Sequence, residues 1–275
     1  MRTVIVNADD FGLVPEIDEA VLRGHAAGLI TSATLMPTGE SAVAAAAIAA
    51  ERGLGVGLHF TLTHGEPVGD RSRSLVGPDG RFLKRGALFA RALRRQVRAD
   101  DVERELEAQW SRVTQLGVRP THIDGHQHIQ VLPTVNAVVS QFARTHNVPV
   151  RIPFVHWRAG TGWYRLGQRA ALATLCRVAV ARGMPALTGS FTSVFDLARP
   201  SRVAAADYVA LVQGAPKGTL ELMVHPSLVS QRLAAIHPDL YDVALAEARL
   251  LVDPQTARAF RDAGIQTVGV DVSRA

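Results

Sequence analysis

The order of apolar runs along the chain is the feature that most constrains its fold. Short runs rich in Val, Ile and Leu alternate with longer segments whose apolar residues recur every three or four positions. The short runs predict strands and the longer segments predict amphipathic helices. Strands that alternate with helices are typical of parallel β/α units. About seven or eight such units favour a closed, TIM-like (β/α) barrel of irregular form, and a doubly wound open sheet is the alternative.

The predicted elements are spread over the whole chain. Strands are expected at residues 4–6, 32–37, 55–62, 121–129, 148–154, 219–226 and 265–270. Helices are expected at residues 15–28, 41–52, 100–116, 134–146, 239–251 and 254–262, with a further helix after an irregular turn within 156–186. Gly, Pro, Asp and Arg crowd residues 64–86 and predict a long loop. No repeat or low-complexity linker divides the chain, so residues 1–275 are predicted to form a single domain.

Composition excludes several classes of protein. Hydrophobic residues make up 47% of the chain, which is enough for a full core. No run approaches the roughly 18 apolar residues that a transmembrane helix needs, and the chain starts directly with a strand, so the cytoplasm is the expected location. The net charge is +5, but the arginines are scattered, which argues against nucleic-acid binding. The single cysteine, Cys176, forms no intrachain disulfide and is expected to be buried.

The stretch V-I-V-N-A-D-D-F-G ends the first predicted strand with two adjacent carboxylates, Asp9 and Asp10. Like charges so close together repel, and one carboxyl pKa should rise unless a cation lies nearby. The chain must therefore supply a cation, a proton or abundant water at this point.

Side chains that can bind metals or carry protons fall at the ends of other predicted strands as well. The set comprises Asp9, Asp10, His59, Asp124, His126, His128, Arg151 and His225. In a β/α barrel the carboxyl ends of the strands meet at the face that carries the chemistry. The sequence therefore predicts one polar site at that face.

The segment T-H-I-D-G-H-Q-H, residues 121–128, carries the densest group of such residues. If it is one strand, His122, Asp124, His126 and His128 point to the same side, because alternate residues of a strand share a face. Residues two apart lie about 6–7 Å apart, so one ion cannot bind all four. One ligand with neighbours that orient it is the better interpretation, and a hydrated cluster without an ion is the alternative.

Two imidazoles, one carboxylate and open positions for water form a common catalytic metal set. Zinc, another divalent transition metal or magnesium would fit, and the spacing does not choose among them. One aspartate of the pair would bind the ion, and its neighbour would stay ionised and serve as a base.

Four motifs together resemble the YdjC-like carbohydrate deacetylases, a family with chitooligosaccharide and hopanoid-associated types. They are N-A-D-D-F-G, G-L-H-F-T-L, T-H-I-D-G-H-Q-H and L-E-L-M-V-H-P, in this order, and G-L-I-T-S-A-T-L-M-P is similar to a further strand of the family. The resemblance covers residues 4 to about 226. It implies a (β/α) barrel that removes an N-acetyl group from an amino sugar and releases acetate.

The resemblance also implies residue roles. It assigns Asp10, His59 and His126 to the metal. It makes Asp9 the general base, Arg151 the residue that orients Asp9, and His225 the general acid. His122, Asp124 and His128 remain divided between orienting the ligands and contacting the substrate.

Residues 157–183 do not decide whether the acetylated sugar is soluble or linked to a lipid. Trp157, Trp163 and Tyr164 precede an apolar, arginine-flanked helix. The helix is interpreted as an ordinary barrel helix or as a surface that meets a membrane, where a lipid-linked N-acetylglucosamine such as a hopanoid conjugate would be the substrate. A location at the inner membrane face would then be expected, and a homodimer is expected by analogy with barrel enzymes in general.

Two other functions compete with deacetylation. One is a metal-dependent hydrolase of another amide or of a phosphoester, although only Arg151 supplies a strand-end cation for a phosphate. The other is a sugar-binding protein without turnover, which would not need both Asp9 and His225 beside the metal set.

Overall fold

The centre of the protein is a curled parallel sheet. The computed structural model describes residues 2–154 and 163–270. Within them the strands are β1 (Arg2–Phe11), β2 (Ser32–Leu35), β3 (Gly55–Phe60), β4 (Ile123–Gly125), β5 (Ser190–Ser193), β6 (Leu220–Val224) and β7 (Ile265–Thr267). The strand order is β4-β3-β2-β1-β6-β5, with β7 paired to the start of β1, and every pairing is parallel. From β1 to β6 almost every strand residue is buried, as expected for a sheet covered on both sides.

The sheet closes into a barrel through a short irregular side. Val150 forms single-residue parallel bridges to Ile123 of β4 and to Ala186, which lies four residues before β5. The predicted strand at 148–154 is therefore wrong in extent. Pro149 and Pro153 lack the N–H that a longer ladder would need. The barrel prediction is confirmed, with this side held by few hydrogen bonds.

Helices surround the barrel. They are α1 (Pro15–Ala26), α2 (Ala42–Arg52), α3 (Arg85–Leu93), α4 (Ala99–Gln115), α5 (Val135–Thr145), α6 (Trp163–Ala181), α7 (Ala205–Gln213), α8 (Gln231–Ile236), α9 (Pro238–Leu251) and α10 (Pro254–Asp262). Proline opens α1, α9 and α10, where its fixed φ suits the first turn. Gly53 ends α2 in the left-handed conformation, at φ 69°.

The predicted helices all occur, within a few residues at each end, but four of the strands and helices in the described residues were not predicted. They are strand β5 and helices α3, α7 and α8, each of which has nine residues or fewer. No helix among the described residues is long and apolar enough to cross a membrane. Cys176 is buried, as expected.

The predicted strand at 121–129 is the largest error. It is extended only over Ile123–Gly125 and then becomes a 3-10 helix at His126–Val131. Gln127 and His128 adopt left-handed backbone angles, with φ of 58° and 61°. The alternation that would place His122, Asp124, His126 and His128 on one face therefore ends at Gly125.

Candidate active site

The carboxyl ends of the strands bring most of the predicted site residues together. Asp9 and Asp10 lie at the end of β1, His59 near the end of β3, and Asp124 in β4. His225 follows β6 directly. Parallel strands converge at this face of a barrel, so residues far apart in the sequence meet here.

A bulge at the end of β1 positions the two aspartates. Between the Ala8–Ala33 and Phe11–Leu35 pairs, β1 advances three residues while β2 advances two. The extra residue is accompanied by a left-handed backbone at Asp10, with φ of 60°. In a regular strand adjacent side chains would point to opposite faces. The bulge lets both carboxylates take part in one site.

Asp10, His59 and His126 form a buried group that could hold a metal ion. One ligand atom from each lies within 4.8 Å of the others. Asp10 Oδ1 is 2.9 Å from His126 Nδ1 and 3.2 Å from His59 Nε2. All three residues are at most 4% exposed.

The chemistry of this group fits a divalent metal. A carboxylate with two imidazoles is a frequent donor set. Nε2 of His59 and Nε2 of His126 are buried and have no hydrogen-bond partner among the described residues. Buried polar atoms without a partner are uncommon unless a further group satisfies them. Asp10, His59 and His126 are therefore the residues that would hold the ion.

The pKa values in this group reflect strong mutual attraction. Burial raises the pKa of Asp10, but the charges of His126 and His59 and the hydrogen bond with His126 outweigh it and hold that pKa well below its ordinary value. Burial lowers the pKa of His59, but Asp124 and Asp10 outweigh it and raise that pKa well above its ordinary value. The geometry of the group thus stabilises positive charge beside Asp10.

Asp124 connects the metal group to a second buried network. Its Oδ1 lies 2.7 Å from Nδ1 of His59, and its Oδ2 accepts from Thr34 at 2.9 Å. A carboxylate only accepts, so Nδ1 of His59 donates and Nε2 is left facing Asp10. A carboxylate that fixes a ligand imidazole in this way is a frequent feature of metal sites.

Arg151 is the centre of the second network and is fully buried. Its Nη1 and Nη2 each donate at 2.6 Å to one oxygen of Asp9. Its Nη1 is also 2.9 Å from Asp124, and its Nε donates to Glu221 at 2.7 Å. The two-pronged contact fixes the plane of the Asp9 carboxylate.

The carboxylates around Arg151 differ in their pKa values. Three carboxylates surround one guanidinium, and burial raises the pKa of Glu221 to about 7 despite the hydrogen bond from Arg151. Burial also raises the pKa of Asp124, but Arg151 and His59 outweigh it and the pKa falls well below its ordinary value. Asp9, His59 and Asp124 also have ligand atoms within 4.8 Å of one another. Because Arg151 already provides the cation there, this second group is a poorer metal site.

His225 lies on the other side of Asp9. Its Nε2 is 3.9 Å from Asp9 Oδ2, and its ring meets Phe195 edge to face at 5.6 Å between centroids. The backbone N–H of His225 donates at 2.7 Å to Glu247, whose other oxygen accepts from Tyr208 at 2.8 Å. Burial lowers the pKa of His225 below its ordinary value.

The remaining two predicted histidines do not contact the Asp10 group. His122 is fully buried beside Thr121, 2.9 Å from its hydroxyl, and packs so tightly on Gly57 that a Cβ there would lie 2.6 Å from the ring. His128 is half-buried and meets the ring of Phe191 edge to face. Burial lowers the pKa of His122 to about 4 and that of His128 to about 3.

Sequence reasoning missed several residues of the site. Glu221 and Asn7 each share a strand face with a predicted residue, His225 and Asp9 respectively, so the alternation in β6 and β1 could have found them. Thr34, Glu247, His64 and His237 have no such signal. The ring centroid of His237 lies 5.4 Å from that of His126. His237 reaches the site because it joins α8 to α9 over the end of the barrel.

The side chains of the three aromatic residues that precede the apolar helix lie outside the described part of the structure. Trp157 lies outside the described residues, and the side chains of Trp163 and Tyr164 are not described either. The helix predicted after them is present as α6.

Comparison with known proteins decides the family. A family model described as YdjC-like protein matches residues 3–262. The chain belongs to the YdjC-like family. A carbohydrate deacetylase of Mus musculus is 31% identical to this YdjC-like chain over 98% of it and 94% of the relative. A chitooligosaccharide deacetylase of Serratia marcescens is 39% identical over 55% of this chain and 59% of the relative.

The fold of this YdjC-like chain also occurs in solved structures. A crystal structure from Enterococcus faecalis V583 matches it with a TM-score of 0.77 at 21% identity, over 98% of this chain and 97% of that chain. At this identity the match shows a shared fold. The resemblance drawn from the four sequence motifs is confirmed at the level of the family.

Proposed function

We propose that this protein is a metal-dependent carbohydrate N-deacetylase. It removes the acetyl group from an N-acetylglucosamine unit, in an oligosaccharide or in a glycolipid such as a hopanoid conjugate, and releases acetate. The observation that carries the proposal is the Asp10, His59 and His126 group beside Asp9 and His225. The names of the deacetylase relatives support the same activity.

The proposed cofactor is one divalent ion, zinc or magnesium, held by Asp10, His59 and His126. When bound, such an ion polarises the acetyl carbonyl and increases the acidity of a nearby water. The buried histidine nitrogens without partners among the described residues support this assignment.

Asp9 is the proposed general base. Both of its oxygens are held by Arg151, so the carboxylate cannot rotate away, and Asn7 donates to Oδ1 at 3.0 Å. It would accept a proton from the attacking water at Oδ2, the oxygen that faces His225. Arg151 is a positioning residue in this scheme.

His225 is the proposed general acid. It would deliver a proton from Nε2 to the departing nitrogen as the carbon–nitrogen bond breaks, leaving acetate and a free amino sugar. Because its pKa is lowered, His225 is mostly neutral near pH 7. The proton taken up by Asp9 is then the nearest source for Nε2, 3.9 Å away.

The arrangement of charges favours an amide over a phosphoester. Arg151, the predicted strand-end cation, already forms ion pairs with three carboxylates. Among the described residues, Arg151 is the one arginine or lysine that pairs with Asp9 or Asp10, so a phosphate there would depend on the metal for its positive charge. A sugar-binding protein without turnover would have no use for an acid and a base on either side of one position.

The extent of the family match supports a single deacetylase domain over residues 1–275. A homodimer and a location at the inner face of a membrane remain predictions. The apolar helix α6 motivates the membrane alternative.

Acetate release tests the proposal. We would assay N-acetylglucosamine disaccharide and an N-acetylglucosaminyl lipid, with protein stripped of metal and protein reloaded with zinc or magnesium. The expected result is metal-dependent acetate from at least one substrate, and the preferred acceptor separates the soluble from the lipid-linked form. No acetate from either, with metal bound at full occupancy, would show that the site hydrolyses a different bond.

A further inference from the structure

Three imidazole rings lie side by side at the edge of the metal group. The ring centroid of His126 is 6.2 Å from that of His64 and 5.4 Å from that of His237, and the last two are 6.0 Å apart. His126 belongs to the group with Asp10 and His59, but His64 and His237 do not. Both are half-buried, so part of each ring is open to a ligand.

A cavity of about 450 Å³ continues from these rings away from the metal group. His64 lines it, and so does Ile236, the residue before His237. Further lining residues include Leu13, Val14, Glu40, Glu66, Arg81 and Arg112. Most belong to the segments that follow β1, β2 and β3, so the cavity opens on the same face of the barrel as the Asp10 group.

The wall of the cavity suits a neutral sugar. Leu13, Val14 and Ile236 offer apolar contact, as the faces of a pyranose ring require. Three of the four charged lining residues are paired, since Glu66 meets Arg71 and Arg81 and Glu40 meets Arg232, and Arg112 is the fourth. Charges at this density would disfavour an acyl or polycyclic lipid, which needs a continuous apolar wall. The volume lies within the range of about 300–1,000 Å³ for small-molecule sites.

We propose that this cavity binds the sugar unit next to the one that carries the acetamide. His64 and His237 are the specificity residues that contact its hydroxyl groups. Nε2 of His237 is buried without a hydrogen-bond partner in the described parts of the chain, so it has capacity for a hydroxyl. A substrate with its acetamide at the Asp10 group would pass these two rings to reach the cavity. The inference rests on the proposed deacetylase function and adds the residues that would recognise a second sugar unit.

Binding in a slow variant separates this role from catalysis. We would use metal-loaded protein with Asp9→Asn and measure calorimetric affinity for N-acetylglucosamine and for its β-1,4-linked disaccharide. His64→Phe and His237→Phe would each be added, because phenylalanine keeps a ring and removes the nitrogens. The matched control is His25→Phe, at the end of α1 on the opposite face of the barrel.

Each added substitution should weaken disaccharide binding about tenfold, as expected for the loss of one hydrogen bond in a partly buried site. Monosaccharide affinity and metal content should stay within twofold of the parent, and His25→Phe should change neither affinity. Equal affinities of all variants for the disaccharide would overturn the assignment of the cavity. Loss of metal from the His64 or His237 variant would also overturn it, because these residues would then be ligands.

The same measurements distinguish the two proposals. Disaccharide that binds in a His64- and His237-dependent manner, but releases no acetate with the wild-type enzyme, would support the cavity and reject the deacetylase. No disaccharide binding at all would reject the cavity assignment, and acetate released from an N-acetylglucosaminyl lipid would then still support the deacetylase.

Discussion

Asp9 and Asp10 are neighbours in the chain and are each 3% exposed, yet their surroundings differ. Both oxygens of Asp9 accept hydrogen bonds from the guanidinium of Arg151. Asp10 faces His59 and His126, whose Nε2 atoms have no hydrogen-bond partner among the described residues. One carboxylate is neutralised by a fixed cation of the protein, and the other is left for a cation that can be exchanged.

This difference explains how two adjacent buried carboxylates coexist. Repulsion between them would raise one pKa unless each had its own positive partner. Arg151 serves Asp9 permanently. At Asp10, protons on the imidazoles or a divalent ion can serve, and the raised pKa of His59 shows that the geometry already stabilises positive charge there.

The largest expected effect on activity comes from removing the charge of Asp10, the carboxylate that has no fixed cation of the protein beside it. Asp10→Asn keeps the shape of the side chain but loses the charge that attracts an ion. Acetate release should fall at least about 10³-fold and bound metal should fall with it, since the proposed chemistry needs the ion. Metal content by mass spectrometry, measured beside acetate release, checks this. Full metal occupancy in Asp10→Asn would refute the assignment of Asp10 as a ligand.

Substitution of Asp9, the carboxylate that is paired with Arg151, should reduce turnover without reducing metal binding. Asp9→Asn removes the proposed base, so kcat should fall about 10²- to 10⁴-fold, as for other general bases. Bound metal should stay at the wild-type level, because Asp9 is held by Arg151 rather than by the Asp10 group. If Asp9→Asn lost metal as completely as Asp10→Asn, the two aspartates would be joint ligands and the contrast between them would disappear.

Removing the fixed cation should affect stability most. Arg151→Met leaves Asp9, Asp124 and Glu221 buried without their shared partner. Breaking a buried ion pair from one side costs about 3–5 kcal/mol. Urea unfolding should show a loss of this size in the free energy of unfolding. Arg151→Lys is the matched control, because it keeps the charge and should retain part of the stability while losing the two-pronged contact. Equal stability of all three proteins would show that Arg151 does not hold the carboxylates in place.

The positions of Asp9, Asp10, His59, His126 and His225 could be foreseen from the sequence. Each lies at or beside a strand end, and the parallel barrel brings such ends together whatever lies between them. Position at a strand end alone does not reveal that Asp9 pairs with Arg151 whereas Asp10 faces the two histidines. This difference depends on the bulge at Asp10, where φ is 60°, and adjacent carboxylates in the sequence do not reveal it.

The errors have physical causes of the same kind. Alternation predicted that His128 shares a face with His126, but the strand ends at Gly125 and two left-handed residues follow. A Cβ at Gly125 would lie 2.5 Å from Gln130 Oε1, so glycine permits the tight turn there. His237 enters the site through the junction of α8 and α9, and local periodicity carries no information about such a contact.

The smallest expected effect concerns Glu247, which accepts a hydrogen bond from the backbone N–H of His225. Burial raises the pKa of Glu247 from 4.5 to about 7. Between these values the folded protein holds a proton that the unfolded chain has released. The free energy of unfolding should therefore fall by about 3 kcal/mol as the pH rises through this window.

Glu247→Gln removes this titration while its amide oxygen can still accept the N–H of His225. Relative to wild type, the variant should gain about 3 kcal/mol between pH 5 and pH 8 in chemical unfolding. Its kcat should fall less than about tenfold, since one hydrogen bond to the segment is retained or replaced. Glu103→Gln on the exposed side of α4 is the control and should follow wild type at every pH. Parallel stability curves for Glu247→Gln and wild type would mean that Glu247 is ionised throughout. In that case a further buried negative charge would lie near Asp9. Arg151 would then not neutralise all the negative charge there, and the contrast between Asp9 and Asp10 would be weaker.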